Sequence, residues 1–301
     1  MGSRLVVAAA QLGPVPLADS REATLARLIG LLEAAAGQGA ELVVFPELAL
    51  TSFFAHWLVE DESELRRFYE NSMPSPSTQE LFDVAKGLNV SFVLGFAEEE
   101  PSGRRFNSSV FIDGTGKEVL RYRKIHLPGF KDYQPGAEHQ NLEKRYFEVG
   151  DRGFRGAAWR DTNVGLMICN DRRWPESYRV LRLLGVELVC LGYNTPVKTP
   201  HLPETDSLVN FHNHLSMQAG AYQNSMWVVA AAKAGVEEGV DQIGGSAIIA
   251  PSGEIVACAE TKNDEIVIAE VDLDMAARYR RSIFNFAQHR RPEHYGLISQ
   301  L

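Results

Sequence analysis

The chain predicts a layered α/β protein built on one mixed sheet or on two. Short apolar runs alternate with helix-periodic segments, the pattern of βαβ units, and two further pairs of runs are joined by turn-rich links that read as hairpins. No linker, composition break, low-complexity segment or short-period repeat divides the 301 residues, so a single domain over 1–301 is expected.

The elements follow in order. Leu5 to Gln11 is short and apolar and predicts a strand, whereas Arg21 to Gly37 places Leu25, Leu28, Ile29, Leu32 and Ala36 at helical spacing. Leu42 to Phe45 is the next strand. Ser77-Thr78-Gln79-Glu80 reads as a capping box opening a helix to about Leu88, and Ser91 to Ala97 returns as a strand. Phe106 to Ile112 and Glu118 to Tyr122 flank Asp113-Gly114-Thr115-Gly116 as the first hairpin. After the apolar run Val164 to Ile168, the order repeats. A helix near Glu176 to Leu184, a strand at Glu187 to Leu191, a helix from about Ser207 to Gln223 and a strand at Met226 to Ala230 lead to a second hairpin, Gly245 to Ala250 and Glu254 to Ala259, around Pro251-Ser252-Gly253. Glu265 to Val271 is a last strand, and Leu273 to Arg281 a last helix. The tail, about residues 282–301, is aromatic and aperiodic (Ile283-Phe284-Asn285-Phe286, Tyr295-Gly296-Leu297-Ile298); packing against a partner subunit and folding back on its own domain both fit it.

Composition excludes several function classes. A formal net charge of −9 disfavours nucleic acid and anionic membrane as partners, because binders of either need a basic face. Three irregularly spaced cysteines argue against a disulfide framework and suit a reducing compartment. The first residues lack a signal peptide's apolar stretch, and no run of about 18 apolar residues occurs, so the cytoplasm is expected.

The candidate chemistry sits where strands end. Cys169 closes Val164-Gly165-Leu166-Met167-Ile168 and faces the polar Asn170-Asp171-Arg172-Arg173, the placement of a nucleophile, whereas Cys190 and Cys258 lie inside apolar strands as core filling. Glu47 follows Leu42 to Pro46, and Lys124 follows Val119 to Arg123. Carboxyl ends of strands are where α/β proteins gather their sites, and a carboxylate, an ammonium and a thiol brought together there supply a base, an oxyanion partner and a nucleophile for attack on a carbonyl. Sequence spacing alone does not bring the three together; a cap or surface ion pair for Glu47 and a solvated Lys124 remain the bland alternatives.

The surroundings Phe45-Pro46-Glu47, Tyr122-Arg123-Lys124-Ile125-His126-Leu127 and Ile168-Cys169-Asn170-Asp171-Arg172-Arg173-Trp174-Pro175-Glu176 resemble the Glu, Lys and Cys motifs of the nitrilase superfamily. Within it the chain most closely resembles N-carbamoyl-D-amino acid amidohydrolases, through Leu48 to Phe54, Leu142 to Glu148, Leu215 to Gly220, Ile283 to Phe286 and above all Asn170 to Trp174. The resemblance runs nearly end to end. It implies a four-layer α-β-β-α sandwich with mixed sheets, assembled as a homodimer or homotetramer, with the tail at a subunit interface. It further implies a second glutamate, Glu143, beside Lys124; a structural salt bridge is the alternative for that residue. Asn141 and Asn213 stand where the carbamoylases tend to carry His, which bears on substrate preference.

The activity implied is hydrolysis of N-carbamoyl-D-amino acids to D-amino acid, CO2 and ammonia. Glu47 is then the general base, Cys169 the nucleophile, and Lys124 with the Asn170 N–H the oxyanion donors. Arg172 and Arg173 are expected to clamp the substrate carboxylate, since guanidinium binds carboxylates bidentately, with Asn170, Asn194 and Thr195 as further polar contacts. A structural ion pair is the alternative for the arginines. No metal or other cofactor is implied: the eight histidines show no HExxH or Cys/His ligand spacing, and His212 and His214 point apart on a predicted helix. Two rivals stand beside this reading. One is another amidase of the superfamily, acting on N-carbamoyl-β-alanine, N-carbamoylputrescine or an aliphatic amide; the arginine pair opposes a cationic substrate. The other is a catalytically silent binding protein on the same fold.

Overall fold

The computed structural model describes residues 4–300. Its first half contains β1 (Arg4–Gln11), α1 (Arg21–Gly37), β2 (Leu42–Val44), α2 (Glu62–Arg66), β3 (Tyr69–Glu70), α3 (Gln79–Leu88), β4 (Ser91–Glu99), β5 (Arg105–Ile112) and β6 (Glu118–Arg123). There follow α4 (Glu143–Tyr146), β7 (Gly156–Trp159), β8 (Thr162–Ile168), α5 (Pro175–Leu183), β9 (Leu188–Tyr193), α6 (Val209–Asn224), β10 (Trp227–Ala232), β11 (Ala234–Glu237) and β12 (Val240–Ile243). The chain then adds β13 (Ala247–Ile249), β14 (Ile255–Cys258), β15 (Glu265–Asp272) and α7 (Leu273–Arg281).

Two sheets of similar design result. One runs β15-β1-β2-β4-β5-β6 with β3 added to β4, the other β14-β13-β10-β9-β8-β7. In each, three neighbouring strands are parallel (β1, β2, β4; β8, β9, β10), flanked by antiparallel partners. Strand periodicity distributes the core. Val7 and Ala9 of β1 join Val164, Leu166 and Val229 between the sheets, whereas Ala8 and Ala10 pack with Leu28 and Leu32 of α1 on the opposite face. On the second sheet, Gly165 faces Leu181 of α5, and α5 and α6 contribute Tyr178, Leu181, Met217 and Ala221 to the core. Helices therefore cover both outer faces, and the molecule is the α-β-β-α sandwich with mixed sheets.

Local chemistry explains most boundaries. The Ser20 side chain accepts from the Ala23 amide and opens α1; Asp113 accepts from the Thr115 and Lys117 amides and closes the β5–β6 turn. The proposed capping box does not form. The helix starts at Gln79 with Thr78 as its cap, and the Ser77 hydroxyl that the box needs meets Ser75 Oγ at 2.9 Å in the preceding turn. Cys258 also departs from expectation. It is exposed on edge strand β14, where alternate residues face solvent, whereas Cys190 is buried. The tail leans on its own chain: Phe284 meets Tyr222 edge-on at 4.9 Å and Phe286 lies under the Arg179 guanidinium at 4.2 Å, leaving Ile283, Leu297 and Ile298 exposed. Among the described residues no helix is long and apolar enough to cross a membrane.

Candidate active site

Glu47, Lys124 and Glu143 meet in one fully buried cluster. The Lys124 ammonium donates to Glu47 Oε1 and to Glu143 Oε2, both at 2.6 Å, and all three side chains are sealed from solvent. Asn107 of β5 secures the pair from both ends: its Nδ2 donates to Glu47 Oε1 at 2.7 Å, and its carbonyl accepts the Lys124 amide at 2.8 Å. Glu143 opens the single turn α4, and Leu142 ties that turn to the loop after Glu47 through its amide on the Ala55 carbonyl.

The backbone of Glu47 lies where the two sheets approach. A Cβ on Gly95 of β4 would fall 2.8 Å from Glu47 Cα, and a Cβ on Gly192 of β9 would fall 2.6 Å from Glu47 N. Any side chain at either glycine displaces the Glu47 backbone, so one glycine from each sheet is a condition of this arrangement. Neither was marked in the sequence, because a glycine inside an apolar strand carries no sign of what crosses it.

Asn194, at the end of β9, links thiol to carboxylate. Its amide donates to Glu47 Oε2 at 3.0 Å, its Nδ2 to the Glu47 carbonyl at 3.0 Å, and its own carbonyl accepts the Cys169 thiol at 3.1 Å. Cys169 has φ 46°, in the left-handed region that a non-glycine residue enters at a cost, and begins the 3₁₀ turn Cys169–Arg173. Asp171 pins that turn. Its buried carboxylate accepts from the Ile168 amide, the His126 amide and the Tyr122 hydroxyl, and its Oδ1 lies 2.7 Å from His126 Nδ1. In the sequence Asp171 sits beside three other polar residues, Asn170, Arg172 and Arg173, with nothing to single it out. Asn170 donates its Nδ2 to the His126 carbonyl at 3.1 Å.

Electrostatics fix the resting protonation. Burial raises the Cys169 thiol pKa, and Glu47 raises it further against the pull of Lys124 and Arg172, so the thiol keeps its proton at neutral pH. For Lys124, burial pulls downward, but Cys169, Glu143 and Glu47 outweigh it and hold the ammonium above the ordinary lysine range. Burial pushes Glu143 upward, with Glu47 adding and Lys124 opposing.

The two arginines separate. Arg172 is 1% exposed and turns inward: Nε donates to Asn213 Oδ1 at 2.8 Å, Nη1 to the Cys169 carbonyl at 2.7 Å and Nη2 to Thr195 Oγ1 at 2.8 Å, with the Tyr193 ring 4.5 Å away. Each of its three nitrogens is engaged by the scaffold, so the arrangement does not present both arginines to one carboxylate as expected. Arg173 instead lines a cavity of about 620 Å³, together with His139, Asn141, Thr195, Lys198 and Asp206, and makes no ion pair among the described residues. The acids of that cavity are engaged, Glu138 with Lys198 at 2.7 Å and Asp206 with the Thr199 amide at 2.7 Å. Burial lowers the His139 pKa, which keeps its ring neutral. His212 is exposed and His214 meets the Gly245 carbonyl at 3.0 Å, pointing apart on α6.

The carbon–nitrogen hydrolase family model matches residues 6–281. N-carbamoylputrescine amidase of Arabidopsis thaliana is 32% identical over 277 residues, covering 89% of this chain and 87% of the relative. Citrullinase of Francisella tularensis is 30% identical over 285 residues, covering 93% and 94%. The crystal structure of a carbon–nitrogen hydrolase from Helicobacter pylori superposes with a TM-score of 0.83 over 99% of both chains at 24% identity. The chain belongs to the carbon–nitrogen hydrolase family, the nitrilase superfamily, and is a hydrolase of amide carbon–nitrogen bonds.

Proposed function

We propose that the chain hydrolyses N-carbamoyl-α-amino acids, with the D-series named by the resemblance of Asn170 to Trp174, through a Cys169 thioester. The observation that carries the substrate class is Arg173: a guanidinium without an ion-pair partner among the described residues, in a cavity where Lys198 pairs with Glu138 and Asp206 accepts the Thr199 amide. Such a site favours a carboxylate and opposes a cationic end such as that of carbamoylputrescine. Thr195, which shares the cavity, supports orientation of the bound acid.

Glu47 takes the thiol proton and the sulfur attacks the ureido carbon. The oxyanion is held by Lys124 and the Asn170 N–H; loss of one such donor typically lowers the rate about 100- to 1000-fold. As the tetrahedral intermediate collapses, the departing nitrogen receives the proton from Glu47 and a carbamoyl or acyl thioester remains. Water, deprotonated by Glu47, then attacks that carbonyl and the thiolate leaves, recovering its proton. Glu143 holds Lys124 in place throughout. A ureido amino acid of the citrulline kind is the second reading, favoured by the relative named citrullinase, and it also presents a carboxylate to Arg173.

A substrate panel tests this: D- and L-N-carbamoyl amino acids, N-carbamoyl-β-alanine, citrulline, carbamoylputrescine and plain amides, with release of ammonia and amino acid measured. D-carbamoyl amino acids are expected to turn over fastest. Preference for carbamoylputrescine or plain amides contradicts the carboxylate site, and preference for citrulline selects the second reading.

The chain is further proposed to self-associate as a dimer or tetramer. Val180 and Leu183 of α5, Phe211 and Leu215 of α6, and Ile283 and Leu297 of the tail expose apolar side chains on neighbouring elements, a grouping suited to a second copy. Sedimentation velocity that finds only monomer at micromolar concentration opposes this.

A further inference from the structure

A second buried ion pair lies beside the site and takes no part in the reaction above. Lys233 follows β10 and Glu237 ends β11; both side chains are 0% exposed, and Nζ donates to Glu237 Oε1 at 2.6 Å. Each partner also holds the backbone that leaves Glu47. The Lys233 ammonium donates to the Thr51 carbonyl, Glu237 Oε2 accepts the Phe53 amide at 2.8 Å, and Glu237 Oε1 accepts the Val15 amide at 3.0 Å. The anchor itself is rigid, because the Lys233 amide bonds the Tyr193 carbonyl, and Leu12 brackets it through Ala232 and Ala234. Tyr193 directly precedes Asn194, the residue that joins Cys169 to Glu47, so the pair reaches the catalytic carboxylate from two sides.

Two isolated charges placed in a dry interior lose more hydration than their attraction returns, and an apolar pair of similar size is often as stabilising. What apolar residues cannot supply is direction. Lys233 and Glu237 orient three backbone groups of residues 15, 51 and 53 that would otherwise be buried without partners. The segment they hold begins at Leu48, whose φ of 47° leaves it in the left-handed region, and continues to His56, which packs on His139 of the substrate cavity at 5.1 Å.

We propose that Lys233 and Glu237 are positioning residues that fix the segment after Glu47, and through it the aim of the Glu47 carboxylate. The proposal rests on the reading of Glu47 as general base. Misplacement of a catalytic group by about 1 Å can cost on the order of 100-fold in rate. Loosening this segment should therefore act on kcat more than on KM.

The test compares Lys233→Met, Glu237→Gln and the double variant Lys233→Met/Glu237→Met with wild type and Glu47→Gln. Thermal stability, kcat, KM and the pH profile of kcat/KM are measured on the best substrate of the panel. Glu237→Gln should lower kcat about 10- to 100-fold, with KM changed less than about threefold, and should displace the acid limb of the profile. The double variant should recover only part of the melting temperature lost by Lys233→Met, because the lone Glu237 charge is gone while the Val15 and Phe53 amides and the Thr51 carbonyl stay unpartnered, and it should not recover kcat; if the single variant does not fold, the double variant carries the comparison alone. Wild-type kcat and pH profile in the folded double variant, with Glu47→Gln inactive, overturn positioning while leaving the base assignment intact. Full turnover in Glu47→Gln overturns the base assignment, and this proposal with it.

Discussion

At the scale of single residues, neighbouring side chains of one type have been given different work. Arg172 and Arg173 are adjacent, but the first is an internal brace of the Cys169 turn and the second faces the cavity. Arg173→Ala should raise KM for a carbamoyl amino acid about 10- to 100-fold, the loss of a charge-assisted hydrogen bond or two, with little change in melting temperature. Arg172→Ala leaves Thr195, Asn213 and the Cys169 carbonyl without a donor and should destabilise by about 3 kcal/mol, read by urea denaturation. Equal effects from the two would contradict the division. The thiol gives a pH prediction with a definite sign. Burial and the Glu47 charge both raise the Cys169 pKa, so Glu47→Gln removes one of them and should shift the pH curve of Cys169 alkylation to lower pH, even as turnover is lost. An upward shift would mean that Glu47 does not act on the thiol as described.

At the scale of elements, the site depends on how closely two strands approach a third piece of backbone. Gly192→Ala places a methyl group against Glu47 N and should lower kcat about 100-fold by displacing the carboxylate, with a stability loss of about 1–3 kcal/mol; activity assays and thermal melts on Gly192→Ala and Gly95→Ala check both. Much of the element order was readable beforehand, and the reason is physical. Helices such as α1 and α7 begin and end where periodicity and caps say, and strands buried on both faces appear as continuous apolar runs. Elements that depend on tertiary partners were not readable. The hairpin β11–β12 offers no alternating pattern, α4 is a single turn fixed by Ala55 and Lys124, and Ser77 bonds within the turn before α3 instead of capping it.

At the scale of the whole molecule, two sheets of like design each bring one of the proposed catalytic groups to the end of a parallel strand: Glu47 after β2, Cys169 after β8. Their facing packs the carboxylate, ammonium and thiol into one dry cluster, which no single half of the chain could form. That juxtaposition was legible in the sequence only as a likeness to known motifs, because residues 77 and 45 positions apart carry no record of meeting. The glycines, Asn107, Asn194's bridging backbone and Asp171 became visible only when the sheets were placed against each other. The most direct measurement compares ammonia release from an N-carbamoyl-D-amino acid by wild type and by Cys169→Ala, alongside calorimetric binding of the same compound. The account predicts that turnover in Cys169→Ala falls to background while binding persists; full retained turnover in that variant would contradict it.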